Sequence, residues 1–582
     1  MTCGASRSGL DRHVMRFWKI MKAQSSNALL MSGAFARVVC LFVASVALVA
    51  CHGIGSSGSD SSSSSFTIGG TITGLTKSSL VLANGSSTVS VSAGASTWTF
   101  SDSFSSDSSY SVTVQTQPAG ELCEVTGGGS GTLAADVTDV TVECSVYGQW
   151  AWEGGLSTVD ASGIYGTKGA ASANNAPGAR YEAISWTGPA GILWLFGGYG
   201  YDSTGALGAL NDLWQYSPAT AQWTWISGGD VGNARGIYGA QGVASASNVP
   251  GARYSSSSWI DASGKLWLFG GYGYDSTGAL GTLNDLWQYS PSSGQWTWVS
   301  GGNVDNATGI YGAQGTPSPS NLPGARQAAS AWVDTGGNLW LFAGYGYGSA
   351  GDLGSLSDLW RFSPSSGQWI WLSGGNANNA AGIYGTRGTA SANAMPGARQ
   401  AASTWVDGSG NLWLFGGYGY DSSSDLGNLN DLWKYSLSTG QWTWFSGSVA
   451  RNASGVYGTE GTASASNVPG AREGANAGID SLGSFSLFGG FGYDSSGGLG
   501  ALNDLWQYSP ATGQWTSIKG NNGNNALGIY GSQGTASGSS PGGRQGASSW
   551  SDSTGHLWLF GGVGYGSSAN GYLNDLWQFI PP

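Results

Sequence analysis

Twelve side chains recur in step through the C-terminal three quarters of the chain, and their types set out the chemistry it could carry. Arginines follow Pro-Gly-Ala or Pro-Gly-Gly at Arg180, Arg253, Arg326, Arg399, Arg472 and Arg544. Tyrosines sit inside Gly-Ile-Tyr-Gly or Gly-Val-Tyr-Gly at Tyr165, Tyr238, Tyr311, Tyr384, Tyr457 and Tyr530. A guanidinium is a planar fork of donors that reads carboxylate or phosphate in pairs, so six around one axis would make an anion-reading mouth. A tyrosine offers a flat ring and a hydroxyl at low entropic cost, which suits sugars and peptides. Each set also has a structural use: arginines can bond backbone carbonyls between repeats, and tyrosines can pack long loops onto the strands beneath. Recurrence in every unit favours the structural use, since one ligand needs only some of the twelve.

Catalytic sets are scarce. Serine is abundant, but beyond residue 52 the only histidine is His556, beside Gly555 at a turn where other units have Lys265 or Asn411. It reads as a solvated turn residue, with no nucleophile–base pair to join. Gly-Tyr-Gly-Tyr segments look like a phosphate loop, but no helix or lysine follows. Asp202, Asp275, Asp421 and Asp494 occupy matching loop positions that Gly348 and Gly566 fill elsewhere. They read as solvated turn carboxylates in preference to weak calcium ligands. The Asp of each Asn-Asp or Ser-Asp before Leu-Trp reads as turn and strand-entry chemistry. No metal and no cofactor is expected.

The N-terminus reads as an address. Residues 38–50 (VVCLFVASVALVA) are a 13-residue apolar run after Arg37, too short to span a membrane and the right size for a signal-peptide core. Residues 1–30 are long and mixed, and a well-proportioned leading region begins at Met31. Leu48-Val49-Ala50-Cys51 resembles a bacterial lipobox, which implies cleavage and a diacylglyceryl anchor on Cys51. His52 at the next position, instead of Asp, resembles the signal for outer-membrane retention in a Gram-negative host. Of five cysteines, Cys3 and Cys40 leave with residues 1–50 and Cys51 takes the lipid, so Cys123 and Cys144 remain as a disulfide pair outside the cytoplasm. Residues 51–65 form a Ser/Gly tether. Residues 66–145 read as a small β-sandwich, with strands at 67–73, 88–91, 97–100, 110–116 and 137–144.

Those chemical residues need a scaffold, and composition names its class. There are 101 Gly with 29 Trp, 25 Tyr and 17 Phe: many turns and many buried rings, an all-β signature rather than a disordered chain. Asp-Leu-Trp recurs with its aspartate at Asp212, Asp285, Asp358, Asp431, Asp504 and Asp575, mostly 73 residues apart. Each unit offers four strands, in the second unit 254–260, 265–269, 285–289 and 295–299, which fits a propeller over residues 146–582.

The glycine doublet Gly270-Gly271, the aromatic Tyr289 and then Trp296 resemble the kelch signature. It recurs at Tyr216/Trp223, Phe362/Trp369, Tyr435/Trp442 and Tyr508/Trp515, with one departure at Ala343-Gly344. The resemblance implies a six-bladed kelch β-propeller. It also brings to mind galactose oxidase and its relatives, whose copper is held by His and Tyr beside a Tyr–Cys crosslink. The repeats contain no cysteine and only His556, so that chemistry is excluded. The outer-strand tryptophans begin at Trp150, ahead of any inner strand, and the chain ends on a third strand. Gln149-Trp150-Ala151-Trp152 should therefore complete the last blade and close the ring.

Loops such as 261–264 and 290–294 are minimal, whereas 271–283 and 301–325 are long, so the surplus sequence falls on one face together with paired aromatics such as Tyr272/Tyr274. The expected function is a non-enzymatic recognition or scaffold protein of the cell envelope, expected to be a monomer, binding a glycan or protein on that face. The alternatives are a carboxylate-dependent hydrolase, lyase or epimerase, and a structural adhesin or spacer. An enzyme should break the repeat around unusual acidic residues, and the departures seen are Glu182, Glu473 and Arg361. Nucleic acid is not an expected partner: residues 1–50 hold six of the 21 basic and one of the 33 acidic residues, leaving 15 against 32, about −17. Cys51→Ala should release the protein from membranes, read by fractionation; tight association of the variant would refute the anchor.

Overall fold

The computed structural model describes residues 65–581 apart from 119, 120, 147 and 537. The expected signal segment, the expected lipidation site Cys51 and nearly all of the expected tether lie outside the described residues. What is described is all-β, with a single short 3-10 turn at Pro189–Gly191.

Residues 65–146 form two four-stranded sheets that share one apolar core. In one, the order is Thr97–Thr99, Ile68–Thr73, Val137–Val146, Glu121–Gly127; in the other, Ser87–Val91, Leu80–Asn84, Ser109–Thr116, Ser130–Thr132. Ile68, Leu80, Leu82, Trp98, Phe100, Leu133 and Val142 fill the space between them. Cys144 and Cys123 are register partners on neighbouring strands and are joined by a disulfide. Three strands beyond the sequence expectation carry these sheets, Leu80–Asn84, Glu121–Gly127 and Ser130–Thr132. The first was signalled by Asn84-Gly85, which opens a two-residue hairpin turn into Ser87–Val91.

From residue 149 onward the same four-stranded antiparallel sheet recurs. In the second unit it runs Ser257–Ile260, Leu266–Tyr274, Leu280–Ser290, Gln295–Ser300 from inside to outside. Leu266-Trp267-Leu268-Phe269 is buried on both faces because each sheet packs against its neighbours on either side. Phe196 and Leu213 of one unit meet Leu268, Trp287 and Trp296 of the next in one apolar cluster. The first unit meets the last in the same manner, Leu195 and Trp214 against Trp558 and Phe560. The innermost strands touch in turn, from Ile184–Thr187 through Ser257–Ile260, Ser330–Val333, Ser403–Val406, Asn476–Ile479 and Ser548–Ser551, and the last returns to the first. The repeat is therefore propeller-like and closed on itself.

Two features differ from the sequence expectation. Residues 271–283 are not a loop: the second and third strands continue past Gly270-Gly271, and the ladder runs on from Gly271↔Leu283 to Tyr274↔Leu280. Gly270 has φ 61° and lies against the neighbouring unit's backbone, where an added Cβ would stand 2.7 Å from the Arg326 carbonyl oxygen. That contact bends the ladder and sends the hairpin tip over the long-loop face. At the same position Ala343 takes φ 62°, a conformation that costs an L side chain roughly 1–2 kcal/mol. The inner strand is also broken: Arg253–Tyr254 pairs with the hairpin extension, apart from Ser257–Ile260.

Outer edges are covered. The long loop entering each unit lays a short stretch against that unit's own outermost strand, as in Ala244–Ser245 on Gln295–Ser300 and the bridges Ser172↔Trp223, Ser318↔Trp369, Ser391↔Trp442 and Ser464↔Trp515. In the last sheet the outermost strand is Gln149–Gly154, paired with Leu576–Ile580 through Trp150↔Phe579 and Trp152↔Trp577. Trp150 is 1% exposed, packed between Phe488 and Phe579. Trp150→Ala should cost about 3–5 kcal/mol, and deletion of Gln149–Gly154 more, as a lowered midpoint for the whole repeat array in chemical unfolding. An unchanged midpoint would show that closure does not depend on this strand.

Candidate functional site

The six repeated arginines lie inside the protein. Each is at most 1% exposed. Arg253 Nη1 and Nη2 donate to Asp285 Oδ1 and Oδ2, both at 2.7 Å, Nη1 also donates to the Gly270 carbonyl at 3.0 Å, and Nε donates to the Gly251 carbonyl at 2.9 Å. The pairs recur as Arg180–Asp212, Arg326–Asp358, Arg399–Asp431, Arg472–Asp504 and Arg544–Asp575, at 2.6–2.7 Å. Burial alone would pull the Arg253 guanidinium down, but the Asp285 carboxylate outweighs it and holds the group charged above its ordinary value.

The repeated tyrosines complete the same clusters. Tyr238 donates its hydroxyl to Asp285 Oδ2 at 2.7 Å, and Trp287 Nε1 donates to the same oxygen at 2.7 Å. Tyr165, Tyr311, Tyr384, Tyr457 and Tyr530 donate to Asp212, Asp358, Asp431, Asp504 and Asp575. Burial first, and the aspartate second, push the Tyr238 phenol far above its usual range. In each loop stretch the tyrosine turns inward while its neighbour, Ile164, Ile237, Ile310, Ile383, Val456 or Ile529, is at least half exposed. The anion-mouth alternative thereby gives way to the structural use: the guanidinium donors and phenol hydroxyls are spent on buried carboxylates and carbonyls.

Other expectations are corrected. Asp275 is 1% exposed rather than solvated. Its Oδ1 accepts from Thr277 N, Thr277 Oγ1 and Ala279 N, and its Oδ2 from Asp305 N, so it ties the hairpin tip to the long loop. Burial would raise its pKa, but these hydrogen bonds outweigh burial and lower it. Asp202, Asp421 and Asp494 are bonded alike. His556 is half-buried at the short-loop end, its Nδ1 within 3.2 Å of Asp552 Oδ2 and 2.8 Å of Gln578 Nε2. Arg361 lies over Trp340. Among the described residues no group of three or more His, Cys, Asp and Glu is placed to hold a metal.

One place where the units differ lies just after each arginine. The pairs are Tyr181-Glu182, Tyr254-Ser255, Gln327-Ala328, Gln400-Ala401, Glu473-Gly474 and Gln545-Gly546. The second member of each pair joins a closed ring of six backbone hydrogen bonds around the axis. Glu182 N donates to Gly546 O, Ser255 N to Glu182 O, Ala328 N to Ser255 O, Ala401 N to Ala328 O, Gly474 N to Ala401 O and Gly546 N to Gly474 O, at 2.7–3.0 Å. All six have φ between 51° and 62°, although four are not glycine. Backbone strain held in place by its surroundings is a mark of functional sites.

The first members stand around the axis at the start of the inner strands, the long-loop end. On one side they are aromatic. Tyr181 lies 6.0 Å from Tyr254, 6.1 Å from Tyr199 and 5.7 Å from Tyr572, and Tyr254 lies 5.4 Å from Tyr199 and 5.6 Å from Tyr272. Ser255 Oγ donates to the Glu182 carboxylate between them. Burial first, then Glu182 and the neighbouring phenols, raise Tyr181 well above its usual value. The far side is amide and carboxylate: Gln327, Gln400, Glu473 and Gln545. Gln327 Oε1, Gln400 Oε1 and Asn428 Oδ1 are buried with no hydrogen-bond donor.

The chain matches no family model and no curated protein. Glu182 and Glu473 look like scattered departures in the sequence, but both fall beside a repeated arginine, in a register that the closed ring brings to one axis.

Arg253→Ala should lower stability by about 3–5 kcal/mol, since it strands Asp285 inside the protein. Asp285→Ala should cost a similar amount, and the double variant less than the sum. Additive losses in denaturant unfolding would show that the pair does not act as a unit.

Proposed function

We propose that this is a non-catalytic recognition protein of the bacterial cell envelope, anchored through Cys51, whose six-bladed kelch propeller holds its ligand at the axial mouth of the long-loop face. The observation that carries the reading is where the repeat is broken. Near-identical units keep their arginines and aspartates, and among the positions where they differ, Tyr181-Glu182, Tyr254-Ser255, Gln327, Gln400 and Glu473 lie around one axis. A ligand without sixfold symmetry needs such asymmetry at the axis. The Tyr181–Tyr199–Tyr254–Tyr572 cluster offers amphipathic area for a sugar ring or a peptide, with acceptors opposite.

A carboxylate-dependent sugar enzyme is the second reading, favoured by one observation: the two acidic departures from the repeat, Glu182 and Glu473, both belong to this mouth. The experiment is a glycan and peptide binding screen of the full chain, repeated with Tyr181→Ala/Tyr254→Ala. Binding to the native protein that falls at least tenfold in the double variant, measured below the lowered melting temperature that loss of two buried rings brings, is expected. Binding that ignores the double variant would refute the axial mouth, and chemical change of a bound glycan would favour the second reading.

A further inference from the structure

We infer that the axial mouth selects a hydroxylated amine, an amino sugar with its amino group free, the ammonium held between the tyrosine faces and the Glu182 carboxylate. This rests on the reading of the mouth as the ligand site and specifies what the site takes.

The chemistry of the walls is one-sided. The mouth presents π faces, two carboxylates and amide oxygens, and the basic side chains adjoining it, the six arginines, have their charge matched by aspartates within 2.7 Å. An aromatic face is negative at its centre and attracts a cation, most strongly where water is kept away. Tyr181, Tyr254 and Tyr572 are each 7% exposed, so the rings form such a place. Glu182 lies close enough to Tyr181 and Tyr572 to raise both phenols, after burial and, for Tyr572, after Tyr199, Tyr201 and Asp160, which puts a negative charge at the aromatic cluster. Asp160 adds a second at the rim, where its Oδ1 accepts from Tyr572 N at 2.9 Å.

An independent observation points to the hydroxyls. Gln327 is 6% exposed and Asn428 is 4% exposed, and the amide oxygen of each has no donor. Buried acceptors of this type are costly to leave unpaired. Gln327 occupies the strand register of Tyr181 and Tyr254, opposite Tyr345 as Tyr254 is opposite Tyr272, so its side chain joins the same wall as the rings. Asn428 stands opposite Tyr418 in the fourth unit and donates its Nδ2 to the Phe491 carbonyl at 3.2 Å, leaving its oxygen as the unmet group. A ligand that supplies donors, with a cation at one end, answers both walls. A carboxylate or phosphate answers neither.

The test is calorimetric titration of the full chain with glucosamine, glucose, glucuronate and Nα-acetyllysine methylamide at low salt. Glucosamine should bind at least about tenfold tighter than glucose, glucuronate should bind most weakly, and salt should weaken glucosamine alone. Glu182→Gln, or Glu473→Gln if the first variant unfolds, should remove most of the advantage of glucosamine over glucose. Equal binding of glucose and glucosamine, both lost in Tyr254→Ala, would overturn the ammonium inference and leave the mouth standing. Tighter binding of the lysine derivative would overturn the amino-sugar assignment. No binding of glucosamine, or binding indifferent to Tyr254→Ala and to both glutamate variants, would overturn the inference outright.

Discussion

Asp285 and its five counterparts gather each repeat around one carboxylate. Asp285 takes both arms of Arg253 from the start of the inner strand, the Tyr238 hydroxyl from the long loop and Trp287 Nε1 from its own strand, while the same guanidinium reaches the Gly270 carbonyl on the second strand. An ion pair this deep recovers its lost hydration only when its donors and acceptors are met, and these very largely are. Apolar side chains could fill the volume as stably. What they could not do is fix four separate segments in one register, and that specificity is what the repeated cluster supplies.

Once the charged residues are committed to this task, variation has few places to go. The inner tryptophans and leucines pack between sheets and tolerate little change in volume. The outer strands are covered by the long loops. The residue pair after each arginine alone combines a place on the axis with freedom to differ, because the ring of backbone hydrogen bonds holds the second residue by its main chain whatever its side chain is. Glutamate, serine, alanine and glycine all occur in the ring at nearly one backbone angle.

The architecture was largely legible in the sequence because the units repeat almost verbatim: strand number and closure by Trp150 follow from phase and spacing, whereas the run of the ladder past Gly270-Gly271 does not. Side-chain direction was not. Tyr238 and Ile237 are adjacent, and nothing in Gly-Ile-Tyr-Gly says that the polar residue turns in and the apolar one out; only the buried Asp285, 47 residues away, decides it. The arginines left two uses open for the same reason, since a guanidinium near an axis serves an anion or a core carboxylate equally well until its partner is located. Asp275 looked like a surface turn because its partners are backbone N–H groups, invisible to residue type. The mouth was hidden by its own irregularity: repeat analysis weighs what recurs, and the site consists of what does not.

Closure by Gln149–Gly154 also sets the order of events during synthesis. The strand leaves the ribosome well before its partner Leu576–Ile580, which is made more than 400 residues later. Until then Trp150 and Trp152 have no permanent berth, while each completed unit presents an edge that accepts any of its near-identical siblings. Such a chain courts shuffled pairings and exchange between neighbouring molecules. A chain held unfolded until it is whole, as threading through a translocon would hold it, avoids that hazard: the first strand and the last then become available together, and the ring can shut in its proper order.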